Sequence, residues 1–238
     1  MSFIKQNIVH KGENKLTSLP DVLETKPKKK KILTISDHPL SPSGVGTQTK
    51  YFIEAMLKTD RYQVISLGGA IKHNNYDPVR VQPYEKDWII YPVDNYGTVD
   101  IIRSILRNEK PDMVWFMTDP RFYGWLWEIE NEVRACCPMV YYHVWDNYPY
   151  PYFNKRFYDS TDVIVSISKV TNDIVATVSP DVDLYHVPHA VSSVFQPLTQ
   201  ESLDEFAAKT LASSPNYSPD KFSVFWNNRN ARRKQSGT

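Results

Sequence analysis

The feature that most constrains the fold is a series of short apolar runs that do not alternate with polar residues. They are Ile32–Ile35, Tyr62–Leu67, Met113–Met117, Met139–Val144 and Val163–Ser166. A strand wetted on one face alternates apolar with polar residues; one covered on both faces does not. Between these runs, apolar residues recur at helical spacing: Tyr51, Phe52, Ala55 and Met56 in one segment, and Ile101, Ile102, Ile105 and Leu106 in another. Lys169–Val178 and Phe122–Arg134 also read as helices, with Thr98 and Ser168 as caps for the segments that follow them. Trp88–Pro92 and Leu184–Val187 add short strands, Phe153–Tyr158 a short helix. Strand alternating with helix implies an α/β domain: a parallel sheet with helices on both faces.

The first unit, Lys31–Leu57, carries a further signal. A strand is followed by a loop with two prolines, then by Gly44-Val45-Gly46 and a helix expected to start near Gly46 or Thr47. Glycines at such a turn let backbone amides approach a ligand, and the helix end behind them favours negative charge. The spacing is G-x-G-x-x-T, with Thr49 where a dinucleotide fingerprint has a small residue. A plain helix-starting turn explains the same glycines equally well.

The 238 residues suffice for one large domain or one domain and part of another. A net charge of +1 gives no global attraction to nucleic acid or to a membrane surface. No apolar run is long enough to span a bilayer. The two cysteines, Cys136 and Cys137, are adjacent and show neither disulfide nor metal-ligand spacing, which fits a reducing, cytoplasmic location. Fifteen Tyr and six Trp, many of them between Trp115 and Tyr158, supply rings suited to a core or to a sugar or base pocket.

At the start, residues 1–30 are polar, end in a lysine run and read as a flexible extension. Residues 31–197 form the α/β domain, and 198–221 a linker with a helix over Glu201–Ser213. Residues 222–238 open with an apolar run, Phe222–Trp226, followed by a basic segment, as the start of a second domain would. The expectation is a truncated second domain, or one supplied by another chain.

The order of these features resembles the amino-terminal half of a GT-B glycosyltransferase, nearest to the retaining family 4. The likeness rests on SPSGVGTQ after the first strand, YYHVWDN after a middle strand, PHAVSSVFQP near the domain end and FWNNRNARRKQSG beyond it. The resemblance implies a Rossmann-like acceptor-side domain and a nucleoside diphosphate sugar as co-substrate, with no other cofactor and no metal. It implies that Gly44, Val45 and Gly46 face the donor diphosphate, that Arg229 and Lys234 hold it from the second domain, and that His143 serves at the reaction centre. Asn228 stands where the family has glycine, and His189-Ala190 where it has Asn-Gly. The family's paired glutamates would lie past Thr238, so the isolated chain is expected to lack part of the nucleotide pocket.

Fixed cations and amides aimed at a departing diphosphate lower the barrier to glycosyl transfer. Arg offers a bidentate fork and Lys a point charge; a solvated basic run is the bland reading of both. Asp37, His38, Thr118, Asp119, Trp145, Asp146 and Tyr148 follow strand ends, where open α/β sheets bind ligands, and are candidates for the acceptor, be it glycan, lipid or protein. A satisfied core histidine is the plain reading of His143. Asp181-Val182-Asp183 spells the D-x-D of metal-dependent transferases, but its context after Pro180 does not fit a metal site. A dehydrogenase is disfavoured because Gly68-Gly69, not an acid, follows the second strand. A non-catalytic interaction module is the remaining alternative.

Overall fold

The computed structural model describes residues 27–213, together with 218 and 220–222. The chain divides into two compact units, Met1–His189 and Ala190–Thr238.

In the first unit the strands are β1 (Lys30–Asp37), β2 (Tyr62–Gly69), β3 (Val79–Arg80), β4 (Trp88–Pro92), β5 (Met113–Met117), β6 (Met139–His143), β7 (Val163–Ser166) and β8 (Asp183–His186). They form one eight-stranded sheet in the order β3-β4-β2-β1-β5-β6-β7-β8, parallel except for the two-residue β3. Helices α1 (Gly44–Lys58), α2 (Val99–Glu109), α3 (Gly124–Trp127), α4 (Glu130–Arg134), α5 (Lys155–Asp159) and α6 (Lys169–Val178) make the crossovers. This is the Rossmann-like α/β arrangement expected from the unalternating strands.

Side chains alternate across each strand, and here both faces are apolar. On β1, Ile32 joins a core beneath α1 with Ile53, Leu57, Trp88 and Trp115. Leu33 and Ile35 join the opposite core with Ile102 and Leu106 of α2, Leu126 and Trp127 of α3, and Val175 and Val178 of α6. Each fully buried aliphatic side chain contributes about 1.5–3 kcal/mol. α1 is fastened to β1 by a buried hydroxyl pair, Ser36 Oγ and Thr49 Oγ1 at 2.6 Å, and Thr49 also donates to the Val45 carbonyl at 2.8 Å. The threonine of the G-x-G-x-x-T spacing is therefore a packing contact between strand and helix.

Three expectations change in detail. α1 begins at Gly44, earlier than expected, because Ser43 caps it: its Oγ accepts from the Gly46 amide at 2.8 Å. The helix read over Phe122–Arg134 is instead a 3-10 turn (Pro120–Phe122), α3 and α4. Leu126, Trp127, Ile129 and Val133 are all buried; Leu126, Ile129 and Val133 fall on one helical face, and Trp127, about 100° away from Leu126, does not. The lysine run that ends the extension read as flexible is ion-paired in part, as is the lysine after it: Lys29 with Asp60 and Asp87, Lys30 with Asp112, Lys31 with Glu109. Thr98 and Ser168 cap α2 and α6 as expected.

The second unit contains α7 (Gln200–Phe206), capped by Thr199 and continued by a π turn over Ala207–Leu211. Residues 1–26 and 223–238, hence most of the proposed extension and second-domain start, lie outside the described residues. Among those described, no helix is long and apolar enough to cross a membrane.

Candidate functional site

The strand order reverses at β1, whose neighbours are β2 on one side and β5 on the other. The loop after β1 leads to α1 on one face of the sheet. The loop after β5 leads to α3 on the other. Loops diverging in this way open a crevice at the carboxyl edge of the sheet, the usual place for a ligand in an open α/β fold. Tyr123 closes its floor: the buried hydroxyl lies 2.8 Å from the carbonyl of Ile35 on β1 and 2.8 Å from that of Met117 on β5. Burial, with the nearby Tyr96 and Asp37, holds this phenol well above its ordinary range, so it is a permanent donor.

Gly44, Val45 and Gly46 play different parts. A Cβ on Gly46 would meet the His38 carbonyl oxygen at 2.6 Å and Ser41 Oγ at 2.7 Å, so this glycine lets the loop fold down on its own helix. Its amide is taken by Ser43. Gly44 has open space beside it, and the Gly44 and Val45 amides have no acceptor among the described residues. These two amides head a 15-residue helix whose dipole favours an anion there.

Asp37 is committed to the same corner. Its Oδ2 accepts from Ser43 at 2.7 Å and its Oδ1 from the Tyr96 hydroxyl at 2.9 Å. Burial, then the Asp37 charge, push the Tyr96 phenol upward. His38 Nδ1 accepts from the Leu40 amide at 3.2 Å, and burial and then His73, whose ring lies 5.6 Å away, lower its pKa. Gly68 is where the His38 ring packs, and Gly69 is where the Asn95 carbonyl packs; a Cβ would collide with either. The Gly-Gly that stands in place of a ribose-binding acid thus makes room for His38 and the Asn95 corner.

Across the crevice, the Thr118 carbonyl accepts from the Tyr141 hydroxyl at 2.6 Å. Asp119 grips Arg121 through two bonds of 2.8 and 2.9 Å. Burial raises the Asp119 pKa, but the Arg121 contacts outweigh it and the net shift is downward. His143 ends β6 completely buried, its Nε2 2.7 Å from the Tyr158 hydroxyl and its Nδ1 without a partner among the described residues. Burial lowers its pKa to about 3 against an opposing pull from Asp119, so the ring is neutral near pH 7. Trp145, Asp146 and Tyr148 lie on the loop after it; Asp146 and Tyr148 are exposed, and Trp145 Nε1 donates to the Asn147 carbonyl at 3.0 Å.

The structure therefore gathers Asp37, His38 and Gly44–Gly46 on one wall, and Thr118, Asp119 and His143 at neighbouring strand ends on the other. Arg229 and Lys234 lie outside the described residues. Asp183 opens β8 at its amino end, and with Asp181 it lines a polar hollow of about 370 Å³ shared with Arg134 and Lys155, away from the carboxyl edge. Among the described residues, no group of three or more His, Cys, Asp or Glu is placed to hold a metal. Sequence reasoning missed Tyr96, Tyr123 and Tyr158, and the capping role of Ser43. Of these only Ser43 carried a local signal, as a capping residue before a glycine-led helix.

No protein-family model matches the chain, and no curated protein sequence matches it. The reading of function rests on the residues themselves.

Proposed function

We propose that this chain is a glycosyltransferase, or the acceptor-side half of one, that moves a sugar from a nucleoside diphosphate sugar to an acceptor hydroxyl, with retention. The observation that carries this is the pair of open amides at Gly44 and Val45, heading α1 at the strand-order reversal. Such a helix end suits a diphosphate. In transfer, the bond from the anomeric carbon to the diphosphate oxygen breaks, and negative charge grows on the leaving group. The acceptor oxygen forms the new bond to the anomeric carbon and passes its proton to the departing diphosphate oxygen. Asp37 already brings negative charge to this corner, so the diphosphate needs cations opposite the amides. Arg229 and Lys234 fill that role in this reading. His143, buried against Tyr158, supports the rim and does not touch the sugar.

The test is transfer from a panel of nucleotide sugars by the full-length protein. Arg229→Ala and Lys234→Ala should each lower kcat roughly a hundred- to a thousand-fold; full turnover in both variants refutes the diphosphate role. A second reading, a binding module without catalysis, draws support from the commitment of Asp37, Asp119 and His143 to partners within the chain. Acceptor binding with no donor binding would favour it.

A further inference from the structure

The loop from Val144 to Asn154, VWDNYPYPYFN, is unlike the rest of the surface. Tyr148, Tyr152 and Phe153 are 59%, 60% and 67% exposed, and with the exposed Tyr150 they crowd into one short segment, whereas the other exposed rings among the described residues stand singly along the chain. They are neighbours of one another. Tyr148 and Tyr150 meet edge to face at 5.4 Å, Tyr150 and Tyr152 at 6.4 Å, Trp145 and Phe153 at 5.8 Å. The loop is tied down at both ends by one buried hydroxyl. Tyr158 Oη bonds His143, where the loop leaves β6, and accepts from Asn154 Nδ2 at 3.4 Å, where it returns. This gives the unpartnered rings a fixed base beside the crevice.

We infer that this aromatic loop is a platform for a neutral saccharide, which names the acceptor class under the glycosyltransferase reading and rests on it in that respect. Three features choose the ligand. Tyrosine rings are amphipathic, and a sugar offers C–H faces to the rings and hydroxyls to the phenols. The side-chain hydrogen bonds of the loop are those of Trp145 and Asn154, while the hydroxyls of Tyr148, Tyr150 and Tyr152 make none among the described residues. A hydrocarbon chain laid there would strand those hydroxyls and the exposed Asp146 and Asn147. Finally, the segment contains no Lys or Arg and one Asp, which argues against a nucleic acid strand or an anionic headgroup, since both need cations along the backbone track.

The experiment is titration of the full chain with neutral oligosaccharides of glucose, N-acetylglucosamine, mannose and xylose, read by saturation-transfer NMR and by tryptophan fluorescence. Poly(U) and vesicles of phosphatidylcholine or phosphatidylglycerol are titrated alongside. At least one oligosaccharide should bind. Tyr148→Ala, Tyr152→Ala and Phe153→Ala should each weaken it roughly three- to tenfold, with unchanged circular dichroism. Tyr152→Phe should lose less than Tyr152→Ala. No oligosaccharide binding, or binding that all three alanine variants leave intact, overturns the platform; so does ring-dependent binding of poly(U) or vesicles alone. A parallel titration of the full-length protein with UDP, GDP and ADP keeps the two ideas apart: diphosphate binding without saccharide binding sinks only the platform, and saccharide binding without diphosphate binding sinks only the transferase reading.

Discussion

The imidazole Nε2 of His143 and the hydroxyl of Tyr158 stand 2.7 Å apart at the carboxyl end of β6, the histidine completely buried. The pair has a thermodynamic signature. The His143 pKa is lowered to about 3 by burial, below the 6.5 of an unfolded histidine. Between those values the unfolded chain binds the proton and the folded chain does not. The stabilisation is fully present above pH 6.5 and is lost as pH falls toward 3, by at most about 1.4 kcal/mol per pH unit from this group. Urea melts across that range should show this slope, and His143→Gln should reduce it.

Tyr158→Phe keeps the ring and removes the hydroxyl shared by His143 and Asn154. Stability should fall by about 1–3 kcal/mol, since two buried polar groups lose a partner. Chemical denaturation measures this directly, and a fall of under about 0.5 kcal/mol would show that the hydroxyl carries no weight.

Gly44 and Gly46 should separate cleanly. Gly46→Ala drives a methyl group into the His38 carbonyl and Ser41, which should cost about 1–3 kcal/mol. Gly44→Glu meets open space and places an acid at a helix N-terminus, where it is favourable. Its Tm should match or exceed that of the parent, while affinity for UDP, GDP or ADP disappears. Unchanged nucleotide affinity in Gly44→Glu would remove the diphosphate from this corner.

The two cysteines should differ in reactivity. Cys136 is exposed; Cys137 is buried, and burial first, with Cys136 and nearby carboxylates, raises its thiol pKa to about 11. Iodoacetamide should label one site in the native chain and both after denaturation, as read by mass spectrometry.

How much of this was legible beforehand depends on the kind of signal. Runs such as Met113–Met117 announced strands covered on both faces, because burial on two sides erases alternation. Thr98 and Ser168 announced helix starts, because capping is local chemistry. The break between Trp127 and Glu130 was hidden: Leu126, Ile129 and Val133 keep helical spacing across it, so the apolar pattern carries no mark of the interruption. The candidate residues were found by their positions after strands, which topology sets. Their commitments were not. That Asp37 serves Ser43 and Tyr96, or that Gly46 makes room for the loop at His38 and Ser41, is settled by contacts the strand-and-helix pattern does not carry. Arg229 and Lys234, proposed as the diphosphate cations, lie outside the described residues.

One phenol, that of Tyr123, spans the carbonyls of Ile35 and Met117 just where their two chains part company. The gap between the walls is therefore gauged by a rigid ring and not by the lengths of the loops above it. Either loop can be rebuilt, lengthened or recharged to suit a new guest while the footing beneath stays the same width.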